Sequence, residues 1–576
     1  MAPILTHNAA DLPAPTPEFV PKLVTTLREG YGPAQLRADA LAGLTVAIVA
    51  LPLSMAIAIA SGVTPAMGLT TAIVGGFLVS ALGGSRFQIG GPAGAFIVLV
   101  AETVASHGVA GLVLATFLSG IMLVALGALR LGTYVKFIPF PVTVGFTAGI
   151  GAIIFASQLK PLLGLSLPGP EPGPLLEKLP ALWQALPSLS LPTAAMSALC
   201  LAGLVLLKRY RPHWPRMLVV VATASALAAL LGLPVATIGS TFGGLEGGLP
   251  APALPDFSLA AIAAVLPNAV AFTLLGAIES LLSAVVADGM TGRRHRPNTE
   301  LVGQGIANMG AALFGGFCVT GTIARTATNV RAGAHGPVSG MLHALFLLLF
   351  LLVAAPLAGY VPLAALAAVL TLVAWDMVEK PAFAALLRAS RGDAAVLLVT
   401  LGLTIFRDLT EAIVVGFGLG AMLFIHRMST AVDVAAESAR GARIPYVPAE
   451  ASDPEVLIYR IRGAIFFGAV SAVAAAMERI SDGYRMLVLD FSAVTLVDSS
   501  AANMIAGLAR KARRRGIAIW VTGTSPALRR ELLSHGVRPP LARFASSVEA
   551  ALERSGRTEI TGTAPADSTE DAQRTE

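Results

Sequence analysis

The sequence predicts an α-helical polytopic membrane protein of about 14 spans, arranged as two inverted repeats of seven and followed by a C-terminal cytoplasmic α/β domain. Composition is the first observation: hydrophobic residues make up 55% of the 576 residues and charged residues only 13%, against about 25% in soluble domains. The second observation is a series of apolar runs through most of the chain. The third is an alternation of strand-like and helix-like segments near its end.

Apolar runs define the spans, because a helix crosses a bilayer in about 17–25 residues. Basic residues support the count, since they concentrate in cytoplasmic loops. With the N-terminus inside, the opposite loops 234–256 and 357–361 contain no lysine or arginine, while Lys160, Lys178 and Arg407 are exceptions. The runs, several of them short, lie at 39–60, 68–83, 92–106, 109–129, 140–158, 190–207, 214–233, 260–287, 300–316, 323–332, 337–356, 362–377, 394–406 and 411–427.

These runs divide the chain into an N-terminal segment at 1–38 and a transmembrane domain at 39–430, with repeats at about 39–233 and 260–427. The N-terminal segment has no short apolar core followed by a cleavage site, so we predict no signal peptide and a cytoplasmic N-terminus.

Residue chemistry excludes several classes of function. Cys200 and Cys318 lie in or beside apolar segments, which predicts neither a disulfide framework nor a metal site. We find no nucleophile and base set, so we expect neither an enzyme nor a cofactor. The net charge of +6 lies mostly in cytoplasmic loops, so we expect no nucleic-acid partner.

Two matched segments predict a binding site. A repeat of seven spans, an odd number, must insert upside down relative to the first, and such folds bind substrate where paired helices are broken near the midplane. "QIGGPAGAF" (88–96) opens the third span, and "CVTGTIARTATN" (318–329) opens the tenth. Close helix packing is another reason for glycine here, but the matched positions favour an anion site made by free backbone N–H groups. Arg325, one turn into the second helix, would strengthen it.

The eighth span carries a carboxylate within "ESLLSAVVADGM" (279–290). Glu279 lies about 18 Å along the helix from Pro267, close to the bilayer centre. A charge there costs on the order of 2.5–3.5 kcal/mol unless it is paired or faces a cavity, so we expect Glu279 to face the interior, with Ser283 one turn on. We predict a proton-coupling role for both residues. The alternative is a fixed Glu279–Arg325 ion pair that joins two helices.

Four motifs resemble the SulP family of anion transporters, whose animal relatives include pendrin and prestin: "FQIGGPAGAF", "ESLLSAVVADGM", "NTELVGQGIANMGAALFGG" and "VTGTIARTATNVRAGA". The resemblance implies a core domain and a gate domain that move against each other, with an anion between the third and tenth helix starts. One departure is Leu53 after Pro52, where many members have glutamine. The substrate-binding residues implied by position are Gly91, Pro92, Ala93, Gly94, Ala95, Thr322, Ile323, Ala324, Arg325 and Thr326.

A linker at 431–454, an α/β domain at 455–556 and a disordered tail at 557–576 complete the predicted organisation. The α/β domain is predicted from strands at "EVLIYRIRGAIFF", "RMLVLDF" and "IAIWVTG" and helices near 469–480, 499–514 and 525–535. "LVLDFSAVTLVDSSA" resembles the STAS domain of sulphate transporters and anti-sigma-factor antagonists. This resemblance implies that Ser499 is a regulatory phosphosite, whereas helix capping by Asp498 or Ser499 is the alternative.

Together these patterns predict secondary active transport of a small anion, namely sulphate, bicarbonate or a dicarboxylate, across the bacterial inner membrane. We expect a co-transported proton rather than sodium, cytoplasmic termini, a homodimer and a cytoplasmic partner of the STAS domain. The first alternative is a nucleobase-type carrier of the same inverted plan, which would normally lack a STAS domain. The second is a membrane-tethered STAS signalling protein, which would not need the matched broken helices.

The orientation can be tested by cysteine labelling in a Cys200→Ser, Cys318→Ser background. Leu245→Cys should react with an impermeant thiol reagent added outside intact cells, whereas Arg294→Cys should react only after permeabilisation, because the charge pattern places residue 294 inside. The reverse labelling pattern would contradict both the orientation and the inverted repeat.

Overall fold

The computed structural model of the chain describes residues 19–134, 139–169, 171–172, 175–212, 214–245, 247–407, 409–430, 433–437, 456–467 and 485–555. The chain divides into two compact units, Met1–Gly420 and Ala421–Glu576. The predicted helix near 469–480, the predicted disordered tail at 557–576 and most of the predicted linker at 431–454 lie outside the described residues.

The first unit is helical, with one pair of two-residue strands, β1 (Gly90–Gly91) and β2 (Thr320–Gly321). Its helices are α1 (Lys22–Arg28), α2 (Pro33–Ala60), α3 (Pro65–Thr70), α4 (Gly76–Leu82), α5 (Ile97–Ala128), α6 (Phe140–Leu163), α7 (Leu175–Gln184), α8 (Leu191–Tyr210), α9 (Arg216–Leu231), α10 (Ile238–Phe242), α11 (Leu259–Thr291), α12 (Pro297–Leu313), α13 (Ile323–Arg331), α14 (Val338–Ala358), α15 (Leu363–Met377), α16 (Lys380–Ala389) and α17 (Arg391–Phe406); α18 (Leu409–Thr430) runs across the boundary between the units.

Helical structure occurs at each of the predicted apolar runs. The third and fourth runs are joined in α5, where Gly108 interrupts the helix with a φ of 68°, a left-handed conformation that favours glycine. Helix α2 begins at Pro33, before the predicted start at residue 39. Within the described residues, 8 helices are long and apolar enough to cross a membrane, so the count of about 14 spans stays a prediction.

Glycines set how closely α5 and α12 approach each other. A Cβ atom added to Gly120 would lie 2.6 Å from the carbonyl oxygen of Gly305, and a Cβ added to Gly305 would overlap the carbonyl oxygen of Gly120. The two backbones are therefore in direct contact, as is common where small residues line an interface between membrane helices.

The basic residues that depart from the charge pattern each have an acidic partner. The Nζ atom of Lys178 lies 3.0 Å from a carboxylate oxygen of Glu171, and that of Lys160 lies 4.0 Å from the other oxygen. The Nε atom of Arg407 lies 3.3 Å from Glu411. Pairing reduces the net charge of these loops. This is consistent with the prediction that they lie on the side of the membrane opposite the basic cytoplasmic loops.

The second unit contains a five-stranded sheet in the order β3-β4-β5-β6-β7, in which β3 is antiparallel to β4 and the other pairs are parallel. Apolar side chains of the sheet and of α19 form its main core. The elements are β3 (Asp433–Glu437), β4 (Val456–Ile465), β5 (Met486–Val497), α19 (Ser499–Arg514), β6 (Ala518–Thr522), α20 (Pro526–Ser534), β7 (Arg543–Ala545) and α21 (Val548–Arg554).

The predicted alternation of strands and helices is confirmed for β4, β5, α19, β6 and α20. Three elements were not predicted. Strand β3 lies within the segment predicted as a linker, which corrects that interpretation: "DVAAE" is short and lacks a clear alternation, and pairing with β4 makes it a strand. Strand β7 and helix α21 are likewise too short for a reliable periodic signal.

The α5–α12 contact predicts the effect of adding one methyl group. Gly305→Ala should reduce the free energy of unfolding by about 1–3 kcal/mol, because overpacking separates the helices, and thermal melting of the detergent-solubilised protein would measure it. Gly289→Ala is the matched control, since no heavy atom lies within 4 Å of the added Cβ. Equal melting temperatures for the two variants would contradict the contact.

Candidate functional site

The two segments that the sequence analysis matched to each other form a pair of short strands. Strands β1 and β2 are antiparallel, with Gly90 opposite Gly321 and Gly91 opposite Thr320. Two glycines are required by space: a Cβ on Gly321 would overlap the side-chain amide of Gln88, and a Cβ on Gly91 would overlap the guanidinium of Arg325. We call this pair of strands the crossing. It joins the third predicted span of one half to the tenth of the other.

A helix starts beside each strand of the crossing. On one side the chain passes through a 3-10 turn at Gly94–Phe96 into α5, and on the other it enters α13 directly. Ala93 and Thr322 precede these turns with extended backbones, and neither side chain caps the turn that follows. The first helical bond of α13 runs from Thr326 N to Thr322 O at 2.9 Å, so the earlier N–H groups have no acceptor within the helix. Two helix N-termini with free donors therefore lie at one place, an arrangement that favours an anion.

Arg325 is buried next to the crossing, with 1% of its surface exposed. Its Nη2 donates hydrogen bonds to Ser54 Oγ at 3.1 Å and to the Pro92 carbonyl at 3.2 Å. Its Nε and Nη1 atoms are buried and have no hydrogen-bond partner among the described residues. Arg325 therefore reaches from the second half of the chain into the first, as a buried cation with unused donors.

Hydroxyl groups on α11 hold the crossing in place. Ser283 Oγ donates to Thr326 Oγ1 at 3.0 Å, and Thr326 Oγ1 also accepts the backbone N–H of Ile89 at 3.1 Å. Ser280 Oγ lies 2.8 Å from Thr320 Oγ1. The hydroxyl of Thr326, a predicted substrate-binding residue, is thus engaged in hydrogen bonds to the protein.

Glu279 lies on the face of α11 that contacts the crossing. The Gly276 carbonyl three residues before it accepts a hydrogen bond from Thr320 Oγ1 at 3.4 Å, and Ser283 four residues after it binds Thr326. Glu279 is 8% exposed. Within the described part of the chain, no hydrogen bond or ion pair engages its carboxylate. The alternative of a fixed Glu279–Arg325 ion pair is therefore not realised in this structure.

The other predicted substrate-binding residues surround the two helix starts. A Cβ added to Gly94 would lie 3.4 Å from Met377 Sδ on α15 and 3.8 Å from Ile154 Cδ1 on α6. Apolar side chains of α6 and α15 therefore face this part of the site. Pro92, Ala93, Ala95 and Thr322 are buried, Ile323 is half-buried and Ala324 is exposed.

Sequence reasoning missed the polar side chains that support the site. Asn308 on α12 both donates to and accepts from the backbone of Val319, at 2.9 and 3.0 Å, and Gln304 Nε2 donates to the same carbonyl at 2.5 Å. Ser54, Gln88 and Ser280 were also missed. The available signal was the spacing of Gln304 and Asn308, since two amides four residues apart share one face of an otherwise apolar helix.

In the second unit, Asp498 is the N-cap of α19. Its Oδ1 atom accepts the backbone N–H of Ala501 at 2.8 Å, and Oδ2 accepts that of Phe467 at 3.0 Å. Ser499 is exposed, and its hydroxyl donates to Glu531 at 3.4 Å. Capping is thus provided by Asp498, while phosphorylation of Ser499 stays a prediction.

No group of three or more His, Cys, Asp or Glu side chains in the described residues could hold a metal ion.

Comparison with known proteins places this architecture in a family. The profile of the sulfate permease family matches residues 36–400, which is more than half of the chain. The chain belongs to the sulfate permease family. The profile of the STAS domain matches residues 448–551. Both resemblances read from the sequence motifs are confirmed.

Relatives of this sulfate permease family member align over most of its length. It is 38% identical over 498 residues to the protein YvdB of Bacillus subtilis (strain 168), covering 86% of this chain and 93% of that protein. It is 30% identical over 518 residues to the bicarbonate transporter BicA of Synechocystis sp. (strain ATCC 27184 / PCC 6803 / Kazusa), covering 86% and 90%.

Solved structures confirm the predicted fold class. The murine Slc26a9 anion transporter, solved in the inward-facing state, superposes with a TM-score of 0.82 at 18% identity, covering 93% of this chain and 94% of that one. At this identity the likeness concerns the fold alone. The transmembrane domain of a cyanobacterial bicarbonate transporter BicA superposes with a TM-score of 0.59 at 31% identity, covering 66% of this chain and 98% of that one.

Proposed function

We propose that this member of the sulfate permease family is a secondary active transporter of a small anion: sulphate, bicarbonate or a dicarboxylate. The observation that supports it best is the crossing of β1 and β2, where two helix N-termini and the buried Arg325 meet. Relatives named as the bicarbonate transporter BicA and the sulfate transporter 4.1, chloroplastic, of Arabidopsis thaliana agree with this chemistry.

The anion binds between the starts of α5 and α13. Backbone N–H groups in the first turns supply hydrogen bonds, and each helix dipole contributes ~0.3–1 kcal/mol, or up to ~2 kcal/mol in a partly buried site. Arg325 adds a full positive charge in a region that excludes water, where electrostatic attraction is stronger than in bulk solvent. The predicted binding residues are those of the two turns, 91–95 and 322–326.

The composition of the two sides of the site supports transport by alternating access. The crossing, α11 and α12 are joined by many hydrogen bonds and form a core, whereas α6 and α15 face Gly94 with Ile154 and Met377, which are apolar. Apolar contacts are not directional, so they permit one group of helices to move against the other. Such a motion would expose the anion to each side of the membrane in turn.

Glu279 couples transport to protons. Its carboxylate has no partner among the described residues, so a proton can bind or leave without breaking an ion pair. It shares a face of α11 with Ser283, which is bonded through Thr326 to the start of α13. A change of charge at Glu279 therefore acts on the same helix start that binds the anion. Sodium coupling is the less favoured alternative.

The cellular setting is part of the same proposal. We place the protein in the bacterial inner membrane as a homodimer with both termini in the cytoplasm. The STAS domain would bind a cytoplasmic partner and regulate or assemble the transporter. Its exposed Ser499, beside Glu531, is the candidate phosphosite.

Replacement of Arg325 tests the anion site. Arg325→Ala should weaken binding of labelled anion to the purified protein by about tenfold or more, because a charged hydrogen-bond donor is lost. Arg325→Lys should recover only part of the affinity, since an ammonium group cannot reproduce the planar guanidinium. Arg331→Ala, which removes an exposed charge from the same helix, is the control. Equal affinity for Arg325→Ala and Arg331→Ala would remove Arg325 from the site.

Glu279→Gln tests proton coupling. The substitution keeps size and hydrogen bonding but fixes the neutral form, so uptake driven by a pH gradient into proteoliposomes should fall to background. Anion-for-anion exchange should persist, because it requires no change in protonation. The melting temperature should stay close to that of the unmodified protein, since no ion pair of Glu279 is broken. Glu177→Gln, an exposed residue, is the control. Undiminished gradient-driven uptake by a folded Glu279→Gln variant would disprove the coupling role.

A further inference from the structure

We propose that Ser54 is a positioning residue that fixes the orientation of the Arg325 guanidinium toward the transported anion; this inference rests on the proposed function. The bond from Arg325 Nη2 to Ser54 Oγ measures 3.1 Å, and both residues are fully buried, Arg325 at 1% exposure and Ser54 at 0%. It joins α2 of the first half to α13 of the second.

The sequence around Ser54 makes this hydroxyl conspicuous. From residue 46 to residue 60, helix α2 reads "VAIVALPLSMAIAIA", in which Ser54 has the only polar side chain. The preceding position is Leu53, where many members of the family have glutamine. Helix α2 therefore offers Arg325 a single side-chain acceptor over four turns of helix.

The backbone holds Ser54 in one place. A Cβ added to Gly68 of α3 would overlap the carbonyl oxygen of Ser54, so the two helices are in backbone contact at this residue. Pro52, two residues earlier, also restricts the backbone of α2. Ser54 is thus a rigid acceptor, and the longer arginine side chain adapts to it.

The two acceptors bound to Nη2 determine where the other two nitrogen atoms of the guanidinium point. Nη2 is shared between Ser54 Oγ and the Pro92 carbonyl, and the guanidinium is planar, so the positions of Nε and Nη1 are fixed as well. Those two atoms have no partner within the described chain. Without Ser54, the described structure leaves Nη2 only the Pro92 carbonyl, and the side chain can rotate away from the orientation that presents its charge to the anion.

The test measures anion affinity in a double-mutant cycle, with sulfate, bicarbonate and succinate as probes of the purified full-length protein. Ser54→Ala should weaken binding about three- to tenfold, which is the range for the loss of one ordinary hydrogen bond. In an Arg325→Ala background, Ser54→Ala should have no further effect, because the group that it positions is absent. Ser61→Ala is the matched control: Ser61 follows α2 directly, is equally buried, and its hydroxyl has no partner among the described residues.

Ser54→Thr and Ser54→Val separate orientation from packing, because the two side chains have the same shape and differ in the hydroxyl. Thr should keep more of the affinity than Val, while the two melting temperatures stay close to each other. Equal affinities for Thr and Val, or an unchanged loss from Ser54→Ala in the Arg325→Ala background, would overturn the positioning role. If Arg325→Ala weakens binding and Ser54→Ala does not, only the role of Ser54 fails. If neither substitution weakens binding, the proposed anion site is wrong as well as the role of Ser54.

Discussion

The antiparallel contact of β1 with β2 is the constraint on which the rest of the helical unit depends. Two chain segments leave helical geometry at this place, and in a lipid-solvated protein their polar backbone groups need partners inside the protein. The surrounding helices provide them: Asn308 and Gln304 bind the backbone of Val319, and Thr326 binds that of Ile89. Glycine is used where the strands meet because a Cβ on Gly91 would overlap Arg325 and a Cβ on Gly321 would overlap Gln88. Ser280 and Ser283 on α11, with Gln304 and Asn308 on α12, thus support the two non-helical segments.

Two buried ionisable residues lie near this contact without neutralising each other. Within the described residues, Arg325 is bonded only to neutral oxygen atoms of Ser54 and Pro92, and Glu279 has no hydrogen-bond or ion-pair partner. Both arrangements are unfavourable for stability alone, since a buried charge is normally paired. In membrane proteins such residues are associated with substrate and proton pathways. Because they are not paired with each other, the cation is available to an anion and the carboxylate to a proton, as the proton-coupled transport that we propose would require.

The two units are stabilised by different kinds of packing. In the first unit, glycines such as Gly120 and Gly305 bring helix backbones together, because lipid offers no hydrophobic force between helices and close contact is the remaining source of stability. In the second unit, the sheet and α19 bury a conventional apolar core. There Asp498 caps α19 and leaves the hydroxyl of Ser499 outside the capping bonds, so modification of Ser499 would not remove the cap.

The sequence by itself determined the membrane fold class, the positions of the helices in the predicted apolar runs, the two broken segments, and Arg325 and Glu279 as their charged neighbours. These features are encoded locally, in runs of apolar residues, in glycine positions and in single charges within apolar stretches. Tertiary structure decided the contacts. Ser54 and Arg325 are 271 positions apart, and Ser283 and Thr326 are 43 apart. Whether Glu279 pairs with Arg325, and whether "DVAAE" becomes strand β3, likewise depends on which surfaces meet. No local pattern records this, because each bond exists only once distant segments have packed.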